Sequence, residues 1–530
     1  MQIGLSLSLT ALRASGGTPT PTPTPGASAT TFALAPAVHY HPASQSATLD
    51  GSSRLVSLAD MQGLAALAAI SGTTAPKQMT DGLGRKFLRF NGAEAAAIAN
   101  ALVLNNRQFT AMLVGRAHHG RNTLQFLNPR FATYTSASVN TRANSSIGYM
   151  RGTVTSSSAP FLQAGSPAGS TNATDAYKVV PGCQMQVMTV ASRTTANGGT
   201  RLMINNDICD VAQQTTSVTG YIGAVVGAQA ASADNTETPV TSVNNTFDLY
   251  ELILWSGELT NAQVVAAAAA AVSNYAIAQL ESQLVLAGDS ITDGIATSLA
   301  TSPAYCGNVA SYLTDPGAEQ IPSNVRVINH GESGNQISHL VTKRDATNSV
   351  FGAKYPGGAT KNIVAVQIGR NDMSQSLGQQ NSAMFYASLV ALINTASTGY
   401  LQRGWKVVEV ANIAGPTTAV TTNVIAGEDT IQKRIEAVRI LVADTTNHVP
   451  NATFLTDCLA GTGQTYDGLL SVLHLYDVTV GGDTKFKTAA DAQDTASGYY
   501  DSDFTHLRAE GCQLMATGGD TPAYGYGAIV

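Results

Sequence analysis

Charged side chains are scarce in this sequence of 530 residues. Asp, Glu, Lys and Arg together make up 12% of the residues, and the formal net charge is −6. That share is roughly half of the usual value in globular domains. Because no dense basic patch is present, the sequence lacks the clustered cations that neutralise phosphates. We therefore expect no nucleic-acid partner.

Cysteine is also rare: the chain has five, odd in number and far apart. No CxxC pair indicates a zinc site, and the spacing forms no dense disulfide framework. We expect free, mostly buried thiols, and one pair, Cys183–Cys209, remains open. The other cysteines are Cys306, Cys458 and Cys512.

A long hydrophobic run is absent as well. The stretch Val264–Leu280 is too rich in alanine and too short to span a bilayer, and a helix of a soluble protein fits it better. Residues 1–17 are mildly apolar but carry no positive charge ahead of their hydrophobic part, so they are at best a weak secretory signal. We expect neither a membrane span nor export by the general secretory route.

The sequence is instead rich in Ala, Ser, Thr, Asn and Gly, as neutral extracellular or virion surfaces often are. Near its start it has a Thr-Pro repeat, GGTPTPTPTPG, at Gly16–Gly26. Alternating proline fixes φ and removes amide donors, which gives an extended, semi-rigid spacer. Residues 1–30 are therefore predicted to be a short anchor peptide and its linker, suited to docking onto a larger assembly.

The region 31–280 is predicted to be all-β. Short segments with alternating apolar and polar residues are separated there by Gly, Asn and Asp, a pattern that indicates an antiparallel sandwich. The predicted strands are Lys86–Gly92, Gln108–Ala117, Met185–Ser192, Thr200–Asp207, Tyr221–Ala228 and Thr246–Leu259.

The order of these segments resembles that of concanavalin A-like, or laminin-G-like, jelly-roll domains. In such domains a strand like LRFNG, at Leu88–Gly92, comes early, and a hairpin like INND, at Ile204–Asp207, comes midway. A closing strand like YELILWSGELT, at Tyr250–Thr260, leads into a helix, here the alanine-rich one. The resemblance implies a jelly-roll domain over 31–280 and indicates no particular ligand.

From residue 281 onward the strands become apolar throughout, and helical segments lie between them. Such strands are typical of a parallel sheet covered on both faces by helices. The chain is therefore predicted to be multidomain, with an α/β domain over 281–530. The predicted strands are Leu284–Gly288, Val325–Gly331, Asn362–Gly369, Trp405–Ile413 and Ala452–Asp457, and the predicted helices include Ser382–Thr395 and Thr430–Ala443.

Polar motifs interrupt the α/β region at four places. Three of them, GDS at 288–290, HGESGN at 330–335 and GRND at 369–372, follow consecutive predicted parallel strands. The fourth is DFTH, at 503–506, just before an apolar helix. Each alone is consistent with a strand cap, a turn or a helix cap. Together they indicate an active site, because functional groups of parallel sheets collect where strands end at their carboxyl edge.

The segment from about residue 283 to the end resembles the SGNH hydrolases, also called GDSL-like esterases and lipases, over nearly its full length. Ile291 replaces the Leu of many members, and Arg370 stands at a position that the family varies. The resemblance implies a flavodoxin-like α/β fold and a serine hydrolase activity. The residues that match its four sequence blocks, in the family's order, are Ser290, Gly334, Asn371, and Asp503 with His506.

Elementary chemistry assigns a role to each matching residue. The hydroxyl of Ser290 is a weak nucleophile alone and needs a base. His506 can be that base, since a histidine is mostly neutral at pH 7, and Asp503 can orient its ring. Donors to the oxyanion are expected from the amides of Ser290 and Gly334 and from the side chain of Asn371.

Neighbouring polar residues compete for these roles. Asp501 also precedes His506, but an offset of five residues fits the family less well. Ser333 near His330 resembles a small Ser/His pair, and we expect these loop residues to shape the oxyanion site instead. The acids that flank the nucleophile are expected to order its turn: Asp289 and Asp293.

His39 and His41 are closely spaced histidines of the kind that can bind a metal ion. Two histidines without a third ligand nearby are more often structural or surface groups. We therefore predict no metal ion and no cofactor.

The leading hypothesis is a serine esterase that removes O-acetyl groups from a cell-surface polysaccharide, as part of a phage-like virion fibre or spike. A lipase is less favoured, because no long hydrophobic lid is apparent. The alternative is a polysaccharide-binding adhesin that uses the hydrolase fold only as a scaffold. An acylated glycan is the expected partner, and a homo-oligomer remains open. The expected location is virion or extracellular, with a secreted bacterial protein as the alternative.

Overall fold

The computed structural model covers most of the chain. The predicted anchor peptide and Thr-Pro repeat lie almost wholly in residues 1–23, which are outside the described part. Cys306 and the side chain of Cys209 are also outside it. The described residues are 24–91, 94–98, 109–118, 123–131, 147–150, 161–164, 182–192, 200–211, 221–227, 229–230, 239–240, 246–257, 259–294, 308–346, 350–352, 354–374, 376–394, 398–460 and 468–530.

Two antiparallel sheets form the first half of the described chain. The strands are β1 (Val38–Tyr40), β2 (Ala47–Leu49), β3 (Leu55–Leu58), β4 (Leu67–Ala69), β5 (Lys77–Thr80), β6 (Lys86–Asn91), β7 (Ala96–Ile98), β8 (Phe109–Ala117), β9 (Thr123–Phe131), β10 (Ile147–Met150), β11 (Phe161–Ala164), β12 (Gln186–Ser192), β13 (Thr200–Ile204), β14 (Asp207–Val211), β15 (Tyr221–Val226), β16 (Gln229–Ala230), β17 (Pro239–Val240) and β18 (Thr246–Ser256). One sheet has the order β14-β13-β12-β8-β18-β6-β5, with β1 also paired to β18. The other has the order β11-β10-β9-β15-β7-β4-β3-β2, and β16 pairs with β17 apart from both.

Alternation along β8 explains how these sheets pack. Leu113 faces a core that also contains Ile98 from the opposite sheet. Its neighbours Met112 and Val114 point the other way, into a second cluster beneath the helix α1 (Asn261–Asn274). The central strand is therefore buried on both faces, by the second sheet on one side and by an alanine-rich helix on the other. The antiparallel sandwich predicted from the sequence is confirmed.

The second half contains a parallel sheet. The strands of this second half are β19 (Ser282–Gly288), β20 (Val325–Gly331), β21 (Asn362–Gln367), β22 (Lys406–Val410), β23 (Ala443–Asp444), β24 (Val449–Pro450), β25 (Leu470–Leu473), β26 (Thr479–Val480) and β27 (Asp483–Thr484). Five of them form the sheet, in the order β20-β19-β21-β22-β25 with every pairing parallel. The remaining four form two short antiparallel pairs, β23-β24 and β26-β27.

Helices cover both faces of this sheet. They are α2 (Ser290–Asp293), α3 (Val309–Leu313), α4 (Ile337–Asp345), α5 (Arg370–Met373), α6 (Ser382–Ile393), α7 (Ile431–Val442), α8 (Ala452–Leu459), α9 (Ala489–Gln493) and α10 (Ala509–Thr517), with 3-10 turns at Val350–Gly352, Ala359–Lys361, Leu475–Asp477, Thr495–Ser497, Pro522–Tyr524 and Tyr526–Ala528. Val285 of β19 packs in a cluster with α4, α6, α7 and α8, and the next residue, Leu286, packs in one with α3 and α10. None of the helices in the described part combines the length and apolarity needed to cross a bilayer.

One predicted strand is wrong: Ala452–Asp457 lies within the helix α8. The side chain of Asn451 caps this helix by accepting from the Thr453 amide. Phe454 and Cys458, four residues apart, are the buried positions, which is a helical spacing. The strand that completes the sheet is Leu470–Leu473, a shorter segment that the sequence pattern did not single out.

Backbone contacts join the two halves along an edge of the parallel sheet. The Cys183 amide donates to the Val327 carbonyl (2.8 Å), and the Val327 amide donates to Oε1 of Gln184 (3.2 Å). Val327 belongs to β20, which is the outermost strand on that side. A cavity of about 200 Å³ also lies at this junction, lined in part by Met185 and Tyr275 and by no residue of the four polar motifs.

A buried cluster of charges adds to the same junction. Arg116 of β8 is 1% exposed, and its guanidinium contacts Oδ1 of Asp315 at 2.6 Å and the Ser311 carbonyl at 2.6 Å. His118 places Nδ1 2.9 Å from Oγ of Ser311 and Nε2 3.0 Å from Oδ2 of Asp248. Residues of the sandwich and of the parallel half thus share one polar network.

Candidate active site

Three of the four polar motifs meet at one edge of the parallel sheet. The strands β20, β19 and β21 are neighbours, and their register aligns Gly288 with Gly331 on one side and with Gln367 on the other. All three strands run in the same direction, so their carboxyl ends lie at the same edge. The loops that follow them are therefore adjacent.

Ser290 is held in a tight turn at the end of β19. It is the first residue of α2, and the Asp289 side chain caps that helix by accepting from the Ile291 amide (3.0 Å). A Cβ added to Gly288 would lie 2.0 Å from Oγ1 of Thr292, and one added to Gly331 would lie 2.3 Å from the Asp293 amide. Only glycine allows the turn to approach both strands this closely.

The fourth motif supplies a histidine and a carboxylate to this serine. His506 Nε2 lies 2.8 Å from Oγ of Ser290, and Nδ1 lies 2.5 Å from Oδ2 of Asp503. The three side chains form one continuous hydrogen-bonded chain, although 216 positions separate the serine from the histidine. Ser290 is 8% exposed, whereas the side chains of His506 and Asp503 are 22% and 36% exposed, so the chain opens at the surface.

The loop 501–506 holds the histidine in place. Oδ1 of Asp503 accepts from the amides of Thr505 and His506, each at 2.9 Å, and the Asp501 amide donates to the His506 carbonyl at 2.8 Å. Phe504 takes a left-handed backbone conformation, with φ of 56°, to close this turn. Partial burial opposes ionisation of Asp503, but hydrogen bonds from His506 outweigh it and hold the pKa of the carboxyl below its usual range.

The two remaining predicted residues lie in the loops next to Ser290. Gly334 has φ of 80°, and a Cβ added there would meet no atom within 4 Å. Glycine is therefore required by the backbone conformation and not by crowding. Asn371 donates from Nδ2 to the Asn335 carbonyl (3.0 Å). An amide nitrogen carries two hydrogens, so this bond fixes the side chain and leaves a second donor.

Asn335 connects these loops to the nucleophile strand. Its own Nδ2 donates to the Gly288 carbonyl (2.8 Å), and its carbonyl accepts from Asn371. Lys343 stabilises the loop by reaching Oδ1 of Asn335 at 3.4 Å and Oε2 of Glu332 at 2.5 Å. The second and third motifs are therefore tied both to each other and to the strand that ends at the serine.

Arg370 has a positioning role that the sequence did not indicate. It is 6% exposed and donates to the Thr505 carbonyl (3.2 Å), within the loop of the candidate histidine. It also donates to the carbonyls of Ile413 (2.9 Å) and Ala414 (2.6 Å). The arginine thus fixes the His506 loop against the end of β22. No sequence pattern indicated this contact, because the family varies at the position of Arg370.

Asp372 is a second residue that the sequence left without a role. Its Oδ1 accepts from the Ile337 amide at the start of α4 (3.0 Å). Burial, together with the nearby charge of Asp289, raises the pKa of Asp372 to about 7. Asp372 thereby anchors the helix that follows the second motif. Its raised pKa means that the carboxyl gains a proton near pH 7.

The competing residues have other partners. Both ring nitrogens of His506 are occupied by Ser290 and Asp503, so Asp501 is not required. His330 is buried in β20 with its ring packed on Phe351, at 5.5 Å between centroids.

The histidine pair of the sandwich is likewise engaged within the fold. His39 contacts Glu251 at 2.5 Å, and His41 contacts Ser44 at 2.6 Å and the Gly26 carbonyl at 3.2 Å. Among the described cysteines, Cys183, Cys458 and Cys512 are buried thiols that form no disulfide, as the sequence predicts. A disulfide that uses Cys183 is therefore absent from this structure.

Comparisons with known proteins identify folds of low similarity. Models of protein families give no match, and neither do the curated proteins. Among solved structures, domain 4 of an extracellular arabinanase from Geobacillus stearothermophilus is 17% identical, and the match covers 44% of this chain and 97% of that one at a TM-score of 0.29. A Trypanosoma rangeli sialidase is 9% identical over 44% of this chain and 32% of its own, at a TM-score of 0.27. An alpha/beta hydrolase from the metagenome of Lake Arreo, Spain, is 17% identical over 46% and 94%, at a TM-score of 0.25. Similarities of this size carry no argument about activity.

Proposed function

We propose that this protein is a serine esterase of the SGNH type that removes O-acetyl groups from a polysaccharide. The observation that carries the proposal is the hydrogen-bonded chain from Ser290 through His506 to Asp503. It is supported by the location of these groups at the carboxyl edge of a parallel sheet, where such sheets carry their active groups. It is also supported by the two flanking loops, which bring Gly334 and Asn371 to the same edge.

The reaction follows from the geometry. Ser290 Oγ attacks the carbonyl carbon of the ester while His506 Nε2 takes the hydroxyl proton. Asp503 holds the ring in the required tautomer and stabilises its positive charge. The tetrahedral intermediate carries a negative oxygen, for which the amides of Ser290 and Gly334 and the Asn371 side chain are the proposed donors.

Collapse of that intermediate completes the transfer. The bond to the sugar oxygen breaks, and the leaving alcohol takes the proton from His506. The acyl group stays on Ser290 as an ester. Water then attacks this ester with His506 again as the base, which releases acetate and restores the free hydroxyl.

A polymeric substrate fits the exposure of the site. Because the side chains of Asp503 and His506 are partly exposed, a polysaccharide chain can lie across the opening without entering a deep cavity. The antiparallel sandwich adds an argument from resemblance, since concanavalin A-like sandwiches often hold sugars. The low share of charged residues and the Thr-Pro repeat favour a fibre or spike of a virion, or another extracellular location, as the setting of this activity.

The test compares two serines that each lie within hydrogen-bonding distance of a histidine. Ser290→Ala should lower turnover of p-nitrophenyl acetate by about 10⁴-fold or more. Ser311→Ala removes the hydroxyl beside His118 and should leave turnover unchanged, at a cost of about 1 kcal/mol in stability. Unchanged turnover in folded Ser290→Ala protein would refute the esterase.

The substrate class needs a second assay. Wild-type protein should release acetate from O-acetylated bacterial capsules, and Ser290→Ala protein should not. Binding of these glycans by wild-type protein without any acetate release would instead support the adhesin, in which the hydrolase fold is only a scaffold.

A further inference from the structure

Two histidines and an aspartate converge beyond the last strand of the parallel sheet. His448 lies in the turn of the β23-β24 hairpin, whereas His474 and Asp477 follow β25 directly. One nitrogen from each histidine and one carboxylate oxygen all lie within 4.8 Å of one another. Neither the hairpin nor the segment after β25 takes part in the Ser290 site described above.

Each of these three residues has one side-chain atom without a hydrogen bond of acceptable geometry. These atoms are Nδ1 of His448, Nε2 of His474 and Oδ2 of Asp477, and each is buried at the level of the atom. The His448 and Asp477 atoms are 2.9 Å apart as an ion pair, but their angles do not form a hydrogen bond. His474 as a whole is 3% exposed. Buried polar atoms are rarely left without a partner, and a bound ion would supply one to all three residues.

Two other polar atoms of the cluster have partners within the fold. Nδ1 of His474 lies 2.8 Å from the hydroxyl of Tyr476, and Oδ1 of Asp477 accepts from Nζ of Lys487 at 2.8 Å. Outer contacts of this kind orient metal-binding side chains and select which ring nitrogen is free. In His474 and Asp477 they leave Nε2 and Oδ2 for a further partner.

We propose that His448, His474 and Asp477 bind a divalent transition-metal ion, with zinc as the ion that fits best. Imidazole nitrogens and a carboxylate oxygen are the usual zinc ligands, and three protein ligands leave one tetrahedral position for water or another small ligand. The His448 side chain is 34% exposed and that of Asp477 is 11% exposed, so the ion can enter from solvent. Magnesium and calcium prefer oxygen ligands and should not compete.

The position of the cluster indicates what the ion does. It joins the hairpin around His448 to the chain that leaves β25, an edge strand of the parallel sheet. The ion therefore stabilises this edge and takes no part in the proposed ester chemistry.

The experiment measures Zn²⁺ binding to the full chain after chelator treatment and dialysis. Wild-type protein should bind one equivalent, and its melting temperature should rise with Zn²⁺ but not with Mg²⁺. His448→Ala, which changes a partly exposed residue, should lose this rise and bind Zn²⁺ at least about 100-fold more weakly. Lys487→Met removes an outer contact and should weaken binding by about tenfold. Asp477→Asn, which keeps the side-chain shape, is the second ligand variant.

His506→Ala serves as the matched control, since it removes the histidine of the other polar site. It should retain one equivalent of Zn²⁺ and the full rise in melting temperature. Co²⁺ in place of Zn²⁺ should give visible absorption bands of a tetrahedral site in this control and in wild type. The proposal is overturned if wild type takes up no Zn²⁺, if folded His448→Ala and Asp477→Asn bind it unchanged, or if His506→Ala abolishes binding.

Discussion

Two serine–histidine–aspartate arrangements lie in different regions of this molecule. One is at the carboxyl edge of the parallel sheet, and the other is at the junction of the sandwich with the parallel half. In both, one ring nitrogen lies within 3.0 Å of a serine hydroxyl and the other within 3.0 Å of a carboxylate. The two sets are Ser290–His506–Asp503 and Ser311–His118–Asp248.

The surroundings of the two sets differ. The side chains of His118 and Asp248 are wholly buried, whereas those of His506 and Asp503 reach the surface. At the junction the ring is also reversed, with Nδ1 and not Nε2 toward the serine. The Ser311 hydroxyl is within donating distance of Oδ1 of Asn308 as well, at 3.0 Å.

Contacts that link a serine, a histidine and an aspartate are therefore not enough to make the serine a nucleophile. At the junction, Asp248 is held by Arg89 at 2.8 Å and lies 4.0 Å from Arg116, so its charge is already balanced. Burial opposes ionisation of Asp248, but Arg89 and His118 keep its pKa well below the usual range. The second arrangement is therefore a structural joint. The first has a partly exposed side next to Asn371, whose amide carries a second hydrogen, as a reacting ester needs.

The largest expected effect comes from Asp503, the aspartate of the set that reaches the surface. Asp503→Asn should lower the esterase kcat by about 10⁴, because an amide at this position favours the wrong tautomer of His506. The melting temperature, measured in parallel, should change little, since the Asp503 side chain is 36% exposed. A fall of less than tenfold would remove Asp503 from the mechanism.

The same Asp-to-Asn change in the set at the junction should lower stability and leave turnover unchanged. Asp248→Asn removes the buried carboxylate charge that Arg89 contacts at 2.8 Å, at a cost of about 3–5 kcal/mol. We expect a lower urea midpoint, while the protein that remains folded keeps its kcat. Loss of kcat without loss of stability would mean that the two arrangements have been assigned the wrong way round.

A smaller change is expected at the oxyanion position. Asn371→Ala should lower kcat by about 10²–10³ with KM little changed, because a donor to the intermediate is lost and substrate binding is not. Retention of full kcat would exclude Asn371 as a donor. Circular dichroism and the melting temperature control for damage to the Asn335 loop.

The smallest effect concerns acid stability at the junction. Burial lowers the pKa of His118 to about 4, against 6.5 in the unfolded chain, and the charge of Asp248 only partly opposes this. The unfolded chain therefore binds the extra proton first, so stability is present above pH 6.5 and is lost as the pH falls toward 4. Between pH 7 and pH 5 the loss amounts to ~2 kcal/mol. In His118→Gln protein the urea midpoint should depend less on pH over this window; an unaltered dependence would contradict the assignment.

The sequence predicts the parallel sheet well because its strands are apolar on both faces. Val325–Gly331 was predicted and is observed with the same bounds, and Asn362–Gly369 ends only two residues earlier, at Gln367. Ala452–Asp457 was misread because six residues are too few to distinguish a buried strand from a helix with one apolar face. Whether the sandwich is a jelly roll stays a prediction.

Three motifs of the candidate active site could be selected from the sequence because each follows a strand, and the fourth because it precedes an apolar helix. Arg370 was not found, since its partners are backbone carbonyls, such as that of Thr505, which no sequence pattern marks. The polar network of the junction and the proposed metal site were missed for a similar reason. His118 and Asp248 belong to different strands, and His448 is 26 positions from His474, so only the folded chain brings them together.

The contact of Cys183 and Gln184 with Val327 has a practical consequence. An outer strand with bare amides and carbonyls invites pairing with other chains, and the sandwich shields β20 from this. A fragment limited to 281–530 would lose that shield while keeping every side chain of the proposed ester chemistry. Poor solubility of such a fragment would then reflect an uncovered β-edge and would say nothing against the enzyme.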